Sequence, residues 1–421
     1  MNPHAPPLHG SLPPEGAGLP WGGPAAAHTM KNPHCLVPSP TVTLGVMGGG
    51  QLGRMFVHAA QRLGYCTAVL DPDAQSPAGR VSHHHIPTGY TDPQGLAQLA
   101  STSAAITTEF ENVPAAALAD LARYKPVAPA AECVAIAQDR ASEKAHFMAC
   151  GVPVAPHAVI ETAADVAAID PDLLPGILKT ARMGYDGKGQ VRVNTPAELA
   201  AAWADLKHVP CVLEKMLPLA LECSVIVARG ADGTCVHLPV QRNLHRGGIL
   251  AVTEVYEGNV PPDTVDIAQA AAKAIADGLQ YVGVLCVEFF VLTDGSLVVN
   301  EMAPRPHNSG HYSIEACDVS QFELQVRTLA GMPLTQPRLH SPAIMLNLLG
   351  DLWPRDGAGA VVGAPDWASV LALPGTHLHL YGKANAAVGR KMGHLTITGG
   401  TVDQVRATAL QAAAVLGIAA F

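Results

Sequence analysis

The sequence predicts a mixed α/β and α+β protein, with an open parallel-sheet unit first, a β-rich unit in the middle and a smaller β-rich unit last. The stretch TVTLGVMGGGQLGR places an apolar, strand-forming run before glycines at 48, 50 and 53, and an amphipathic pattern through Leu52, Phe56, Ala59, Ala60 and Leu63 follows. Up to about residue 149, strand-like runs then alternate with alanine-rich helical ones, as crossover connections between parallel strands require. Beyond Gly151-Val152-Pro153 the pattern changes to short strands joined by tight turns.

In chain order, residues 1–40 are Pro, Gly, Ala and His without periodicity and predict a disordered leader, because they cannot bury enough surface to offset chain entropy. Residues 41–149 carry the runs TLGVM, TAVLD, AAITTEF and PVAP, read as strands of the first domain. Residues 150–342 carry GILKTA, QVRVN, CVLEKML, LECSVIVARG and CVHLPVQRN, the helix DIAQAAAKAIADGL, and the strand pair VGVLCVEFFVL and SLVVNEMA. From 343 to 421, IMLNLLGDLW and HLHLYGK predict strands of a third unit. At 421 residues the chain exceeds a single core, in keeping with this division.

Composition narrows the function. No apolar run reaches the length of a bilayer span, and the leader lacks the basic start and apolar segment of a signal peptide. A formal charge of −9 argues against the clustered basic surface that holds nucleic acid and leaves small anionic ligands at local sites. The nine cysteines are scattered and never spaced CxxC, which predicts reduced thiols in a cytoplasmic protein.

Glycines 48, 50 and 53 have the spacing of a dinucleotide-binding loop, and Asp71 follows at the distance of a ribose-binding carboxylate. The physics of the loop specifies only an anion, since glycine lets the backbone approach and the helix start presents N–H groups. More informative is Asp294-Gly295 between two apolar strands. Taken as a two-residue turn, it sets Glu288 opposite Glu301, two carboxylates on one face that repel unless a cation bridges them. Mg²⁺ is a hard ion suited to that pair together with phosphate oxygens. KTARMGYDGKGQ is a second glycine loop, able to fold over a triphosphate with Lys179 and Lys188 supplying charge. His83-His84-His85 reads as an exposed loop, and Ser309 lacks the GxSxG context of a nucleophile.

The motifs GGGQLGRM, EFENVP, QDR, KTARMGYDGKGQ, NLHRGGIL, NEMAPRPHNSGHYSIEAC, and YGK followed by GRKMGH resemble, in order, those of the N5-carboxyaminoimidazole ribonucleotide synthetases. The resemblance runs from about residue 43 to the C-terminus. It implies an ATP-grasp fold with a Rossmann-like pre-ATP-grasp domain and a small C-terminal domain. It also implies ATP-dependent joining of bicarbonate to 5-aminoimidazole ribonucleotide through carboxyphosphate, with Mg²⁺, in a homodimer.

Carried over by that resemblance, the ATP contacts are Arg140, Lys179, the loop residues Gly184, Tyr185, Asp186, Gly187, Lys188, Gly189 and Gln190, then Glu214, Lys215, Met216 and Leu217, with Glu222, His245, Asn300 and Glu301. Glu214 and the backbone after it are expected at the adenine edge, and Glu222 at the ribose hydroxyls. Glu288 and Glu301 are expected to hold Mg²⁺. Gly49, Gly50, Gln51, Leu52, Tyr185, Asp186, Arg305, His307, Lys383 and Arg390 are expected at the ribonucleotide and bicarbonate, with Arg305, Lys383 and His307 catalytic and Arg305 the main catalytic cation. Asp71 becomes a by-product of the shared strand–turn–helix geometry. The nearest alternative is the formate-dependent glycinamide ribonucleotide transformylase of the same superfamily, and PRPHNSGH and GGGQLGRM favour the carboxylating family over it. A non-catalytic nucleotide-binding protein and a dehydrogenase are further alternatives.

Overall fold

The computed structural model describes residues 35–184 and 189–421. Four parallel strands open the chain: β1 (Thr43–Met47), β2 (Cys66–Leu70), β3 (His84–Ile86) and β4 (Ala105–Thr108), in sheet order β3-β2-β1-β4. The helix Gln51–Arg62 follows β1 directly and buries Leu52, Met55, Phe56, Val57 and Ala60, the face its apolar spacing defines. PVAP forms no strand, and only a single bridge joins Val127 to Ile106. His83–His85 is not a loop: His84 and His85 lie in β3, and the His85 ring reaches the Asp71 carbonyl at 3.1 Å.

A second, antiparallel sheet of β5 (His157–Ile160), β6 (Gly176–Thr180), β7 (Gln190–Val193) and β8 (Cys211–Lys215), ordered β5-β8-β6-β7, forms a small lid-like layer. The largest sheet holds β9 (Leu219–Arg229), β10 (Cys235–His237), β11 (Gln241–Arg246), β12 (Ile249–Val255), β13 (Gly283–Leu292), β14 (Leu297–Ala303), β15 (Ala343–Leu349), β16 (Thr376–Leu380) and β17 (Lys391–Thr398). Its order is β14-β13-β9-β11-β12-β15-β17-β16, with β10 on the side of β9. Because β12 pairs with β15, the C-terminal strands extend the central sheet rather than forming a sheet of their own.

The helix Pro262–Gly278 starts on a proline, whose missing N–H costs nothing in a first turn, and lays Ala268, Ala271, Ala272, Ile275 and Ala276 on β9 and β13. On the other face, the helix Gln321–Leu329 packs on β9 and β13 and also against Gln51–Arg62. Val326 and Leu329 therefore share a core with Leu44, Val46 and Phe56, which ties the first sheet to the central one. The chain is anchored earlier than the leader reading implies: the Leu36 N–H donates to the Ala330 carbonyl at 2.8 Å, and Leu36 packs against that same core. The remainder of that segment, residues 1–34, lies outside the described residues. Among the described residues, no helix is long and apolar enough to cross a membrane.

Candidate functional site

The floor of the site is the β13–β14 hairpin. Glu288 pairs with Glu301, as the sequence predicts, but by a different route. The turn spans Thr293, Asp294 and Gly295, with Gly295 at φ +83° and Leu292 bonded to Ser296, one residue longer than the two-residue turn. A β-bulge between Glu288 and Phe289 then restores the register, leaving Asn300 as the extra residue opposite Glu288. The bulge turns Asn300 and Glu301 toward one cleft: Asn300 Oδ1 lies 3.4 Å from Lys179 Nζ, and Glu301 Oε2 accepts from Arg140 Nη2 at 2.9 Å. Hard oxygen donors on two facing strands fit a divalent cation. Burial pushes the Glu288 carboxyl up, but His307, 3.0 Å away, together with His245 and Lys391, holds it down at about 2.

Above the floor, Lys179 on β6 and Lys144 on the helix Arg140–Ala149 both reach Glu214 on β8, at 2.9 and 3.0 Å. Glu214 is 3% exposed, and burial pushes its carboxyl up while the ammonium groups of Lys179 and Lys144 hold it down at about 2. Each of its two oxygens is thus engaged by a lysine ammonium. Lys144 and Glu143 were not singled out by sequence. Arg140, Glu143 and Lys144 stand at i, i+3 and i+4 of one helix, so helical spacing was the available signal. Glu143 Oε1 accepts the Met302 N–H at 2.7 Å and clamps that helix to β14. On the far wall His245 Nδ1 lies 2.6 Å from Glu222 and Nε2 4.0 Å from Glu288; burial lowers its pKa, and both carboxylates raise it beyond that.

The segment after β14 carries Arg305 and His307. Arg305 Nε donates to Glu111, which belongs to the loop after β4, so the guanidinium is fixed from another sheet. Burial pushes the Glu111 carboxyl up, but Arg305 holds it at about 2. His307 Nε2 faces Glu288, while its Nδ1 meets Ser309 Oγ at 2.9 Å. Ser309 is fully buried and also bonded to Ser224, so it orients the imidazole and has no route to attack a substrate. Lys383 Nζ donates to the Lys391 carbonyl at 2.7 Å, and Arg390 Nη1 to the Asn385 carbonyl at 2.8 Å.

In the first glycine loop three N–H groups are taken by the protein's own carboxylates: Gly49 donates to Asp71 at 2.7 Å, and Gly50 and Gly53 donate to Glu109 at 2.8 and 2.9 Å. A side chain at Gly50 would meet Glu109 Oε1 at 2.5 Å, so glycine here makes room for the protein's own carboxylate. Asp71, which also accepts from Tyr90 at 2.6 Å, is a strut of the loop and more than a geometric by-product. Glu109 and Glu111, both from EFENVP, join Glu143 and Lys144 among the residues that sequence reasoning passed over.

One cleft of about 1300 Å³ gathers these groups. It is lined by Gln51, Leu52, Arg140, Lys179, Gly184, Gly189, Gln190, Glu214, Lys215, Met216, Leu217, Glu222, His245, Glu288, Asn300, Glu301, Arg305, His307, Lys383 and Arg390. Gly49 and Gly50 stand behind it, and Tyr185, Asp186, Gly187 and Lys188 lie outside the described residues.

Known families match along the chain in the same order. The ribonucleotide synthetase preATP-grasp domain matches residues 41–138, the ATP-grasp domain 145–322, and the phosphoribosylaminoimidazole carboxylase C-terminal domain 343–408. The N5-carboxyaminoimidazole ribonucleotide synthase of Brucella melitensis is 42% identical over 360 residues, 85% of this chain and 96% of that one. That of Bacillus subtilis is 39% identical over 358 residues, 85% of this chain and 91% of that one. Among solved structures, the Staphylococcus aureus N5-carboxyaminoimidazole synthetase with ADP superposes with a TM-score of 0.81 at 36% identity, covering 90% of this chain and 99% of that one. The Aspergillus clavatus enzyme with ADP and 5-aminoimidazole ribonucleotide gives 0.81 at 32% identity, with coverage of 90% and 99%.

Proposed function

The chain belongs to the N5-carboxyaminoimidazole ribonucleotide synthase family of ATP-grasp enzymes, and from that premise we propose how its cleft divides the work of carboxylating 5-aminoimidazole ribonucleotide at the expense of ATP. The observation that carries the assignment is convergence. Lys179, the Glu288–Glu301 pair with Asn300, and Arg305, His307 and Lys383 come from separate sheets and loops into one cavity.

Lys179 and Arg140 hold the ATP phosphates, and Lys215 through Leu217 run along the base. Glu288 and Glu301, with Asn300, would hold Mg²⁺, which would neutralise phosphate charge. A bicarbonate oxygen attacks the γ-phosphorus; the bond to the bridging oxygen breaks, ADP leaves, and carboxyphosphate forms. The amine of the ribonucleotide then takes the carboxyl carbon, the C–O bond to phosphate breaks, and inorganic phosphate leaves as the nitrogen loses a proton. No protein nucleophile is needed, and what this chain supplies is position and positive charge. Arg305, oriented by Glu111, presents paired donors to the planar carboxylate and its phosphate. His307 stands beside Glu288, at the junction of the nucleotide and carboxylate ends. Lys383 and Arg390 approach from the C-terminal segment and take the ribonucleotide phosphate, with Gln51 and Leu52 lining the same cleft.

Oxygen-labelled bicarbonate tests this sequence. Labelled oxygen recovered in the inorganic phosphate supports carboxyphosphate, whereas unlabelled phosphate with normal product formation refutes it.

A further inference from the structure

Beyond the cleft, the polar group that the reaction leaves unused lies beneath Lys383. We propose that Tyr381, His394, His379 and Glu315 form a positioning network that sets the Lys383 ammonium in the cleft. The proposal rests on the reading of Lys383 as a ribonucleotide contact.

Tyr381 is 1% exposed and His394 fully buried, with Tyr381 Oη 2.9 Å from His394 Nδ1. Burial, with the neighbouring imidazoles of His311 and His379, holds His394 neutral, so the phenol and Nδ1 share a hydrogen bond between two uncharged groups. His394 and His379 are register partners on β17 and β16, their rings stacked 4.5 Å apart at 8°. His379 Nε2 in turn lies 2.6 Å from Glu315 on the short helix Ser313–Ala316. The Tyr381 ring packs with Leu52, Met55 and Phe322, where the first sheet's helix meets the ATP-grasp core. Two residues later Lys383 extends, its Nζ 5.6 Å from the Tyr381 ring centroid, within reach of a cation–π contact, and bonded to the Lys391 carbonyl. The chain of contacts thus runs from Glu315 on the ATP-grasp core to the base of Lys383.

A core built only for stability would not hold these groups. His394 Nε2, His311 Nε2 and Glu315 Oε2 are buried with no hydrogen-bond partner, a cost that apolar side chains of the same volume avoid. What the polar groups add is direction. They fix the rotation of the Tyr381 ring and the exit of the following chain, where Gly382 turns with φ +76°. The ligand atoms of Glu315, His379 and His394 lie within 4.8 Å of one another, but stacked parallel rings aim their in-plane lone pairs side by side and not at one ion. The geometry is that of a strut and not of a metal site.

The test is a double-mutant cycle in the full-length enzyme. Tyr381→Phe keeps the ring and removes the hydroxyl; Glu315→Gln breaks the far end of the network and guards against a folding defect peculiar to Tyr381. Each is expected to lower kcat/KM for the ribonucleotide by about tenfold to a hundredfold, with KM for ATP and the melting midpoint little changed. In the Lys383→Gln background, adding Tyr381→Phe is expected to cost less than about twofold, because the group being positioned is gone. Independent, multiplying losses overturn the network, as does a normal Tyr381→Phe beside a crippled Lys383→Gln. Full activity in Lys383→Gln overturns the placement of Lys383 itself, an outcome separate from the first two. Stoichiometric metal retained by the purified protein and lost in His394→Asn also overturns the strut reading.

Discussion

At the scale of single residues, Glu214 joins two buried ammonium groups in a space with almost no water. Replacing it by glutamine leaves Lys144 and Lys179 without a counter-charge, and the expected loss is about 3–5 kcal/mol in urea unfolding, with a raised KM for ATP. Its carboxyl is held at about 2 against an ordinary 4.5, so the folded state binds fewer protons than the unfolded one across that interval. The stability it contributes is therefore complete above about pH 4.5 and drains away as the pH falls toward 2. A urea series over that range should show a steeper acid loss in the wild type than in Glu214→Gln; equal slopes would contradict the assignment. The two lysines that Glu214 joins were not legible in the sequence, because spacing shows which strand carries a carboxylate and not which cations fold onto it. Lys144 sits 35 residues from Lys179 in the chain, and only the tertiary fold brings both to one glutamate.

At the scale of elements, the β13–β14 hairpin shows how a correct pairing follows from two offsetting departures. The Asp-Gly signal located the turn, but a two-residue loop and a three-residue loop with a left-handed glycine share that signal, and no residue type announces the bulge at Asn300. Alternation and turn chemistry were legible; the bulge beside Glu288 and Glu301 was not. The first glycine loop gives the complementary case. Its strand–turn–helix geometry was legible, whereas the partners of its N–H groups depended on Glu109 and Asp71, which other strands deliver. Gly50→Ala drives a methyl group into Glu109 and is expected to cost about 1–3 kcal/mol in thermal or urea unfolding, raising KM for the ribonucleotide more than for ATP. An unaltered melting curve would show that the loop yields freely.

At the scale of the molecule, three segments that sequence reads as separate units are stitched together at the cleft. The C-terminal strands join the central sheet through β15, and the loop after the first sheet's β4 reaches Arg305 through Glu111. Glu111→Gln should leave the ATP half of the site intact but free the Arg305 guanidinium, lowering kcat by about tenfold to a hundredfold with little change in ADP affinity. An equal loss of ADP binding would place Glu111 in the nucleotide half instead. Such links were invisible in composition or periodicity, because they join residues nearly two hundred positions apart; they were reachable only through motifs whose order resembles that of a family.

The central claim is that this one cleft couples ATP cleavage to carboxylation of the aminoimidazole amine. The most direct measurement is ADP release by the purified protein with Mg-ATP and bicarbonate, with and without 5-aminoimidazole ribonucleotide, while the acid-labile carboxylated product is followed. The account predicts ADP release that depends on the ribonucleotide and matches product one for one. Silence under those conditions, with turnover of formate and glycinamide ribonucleotide instead, would contradict it.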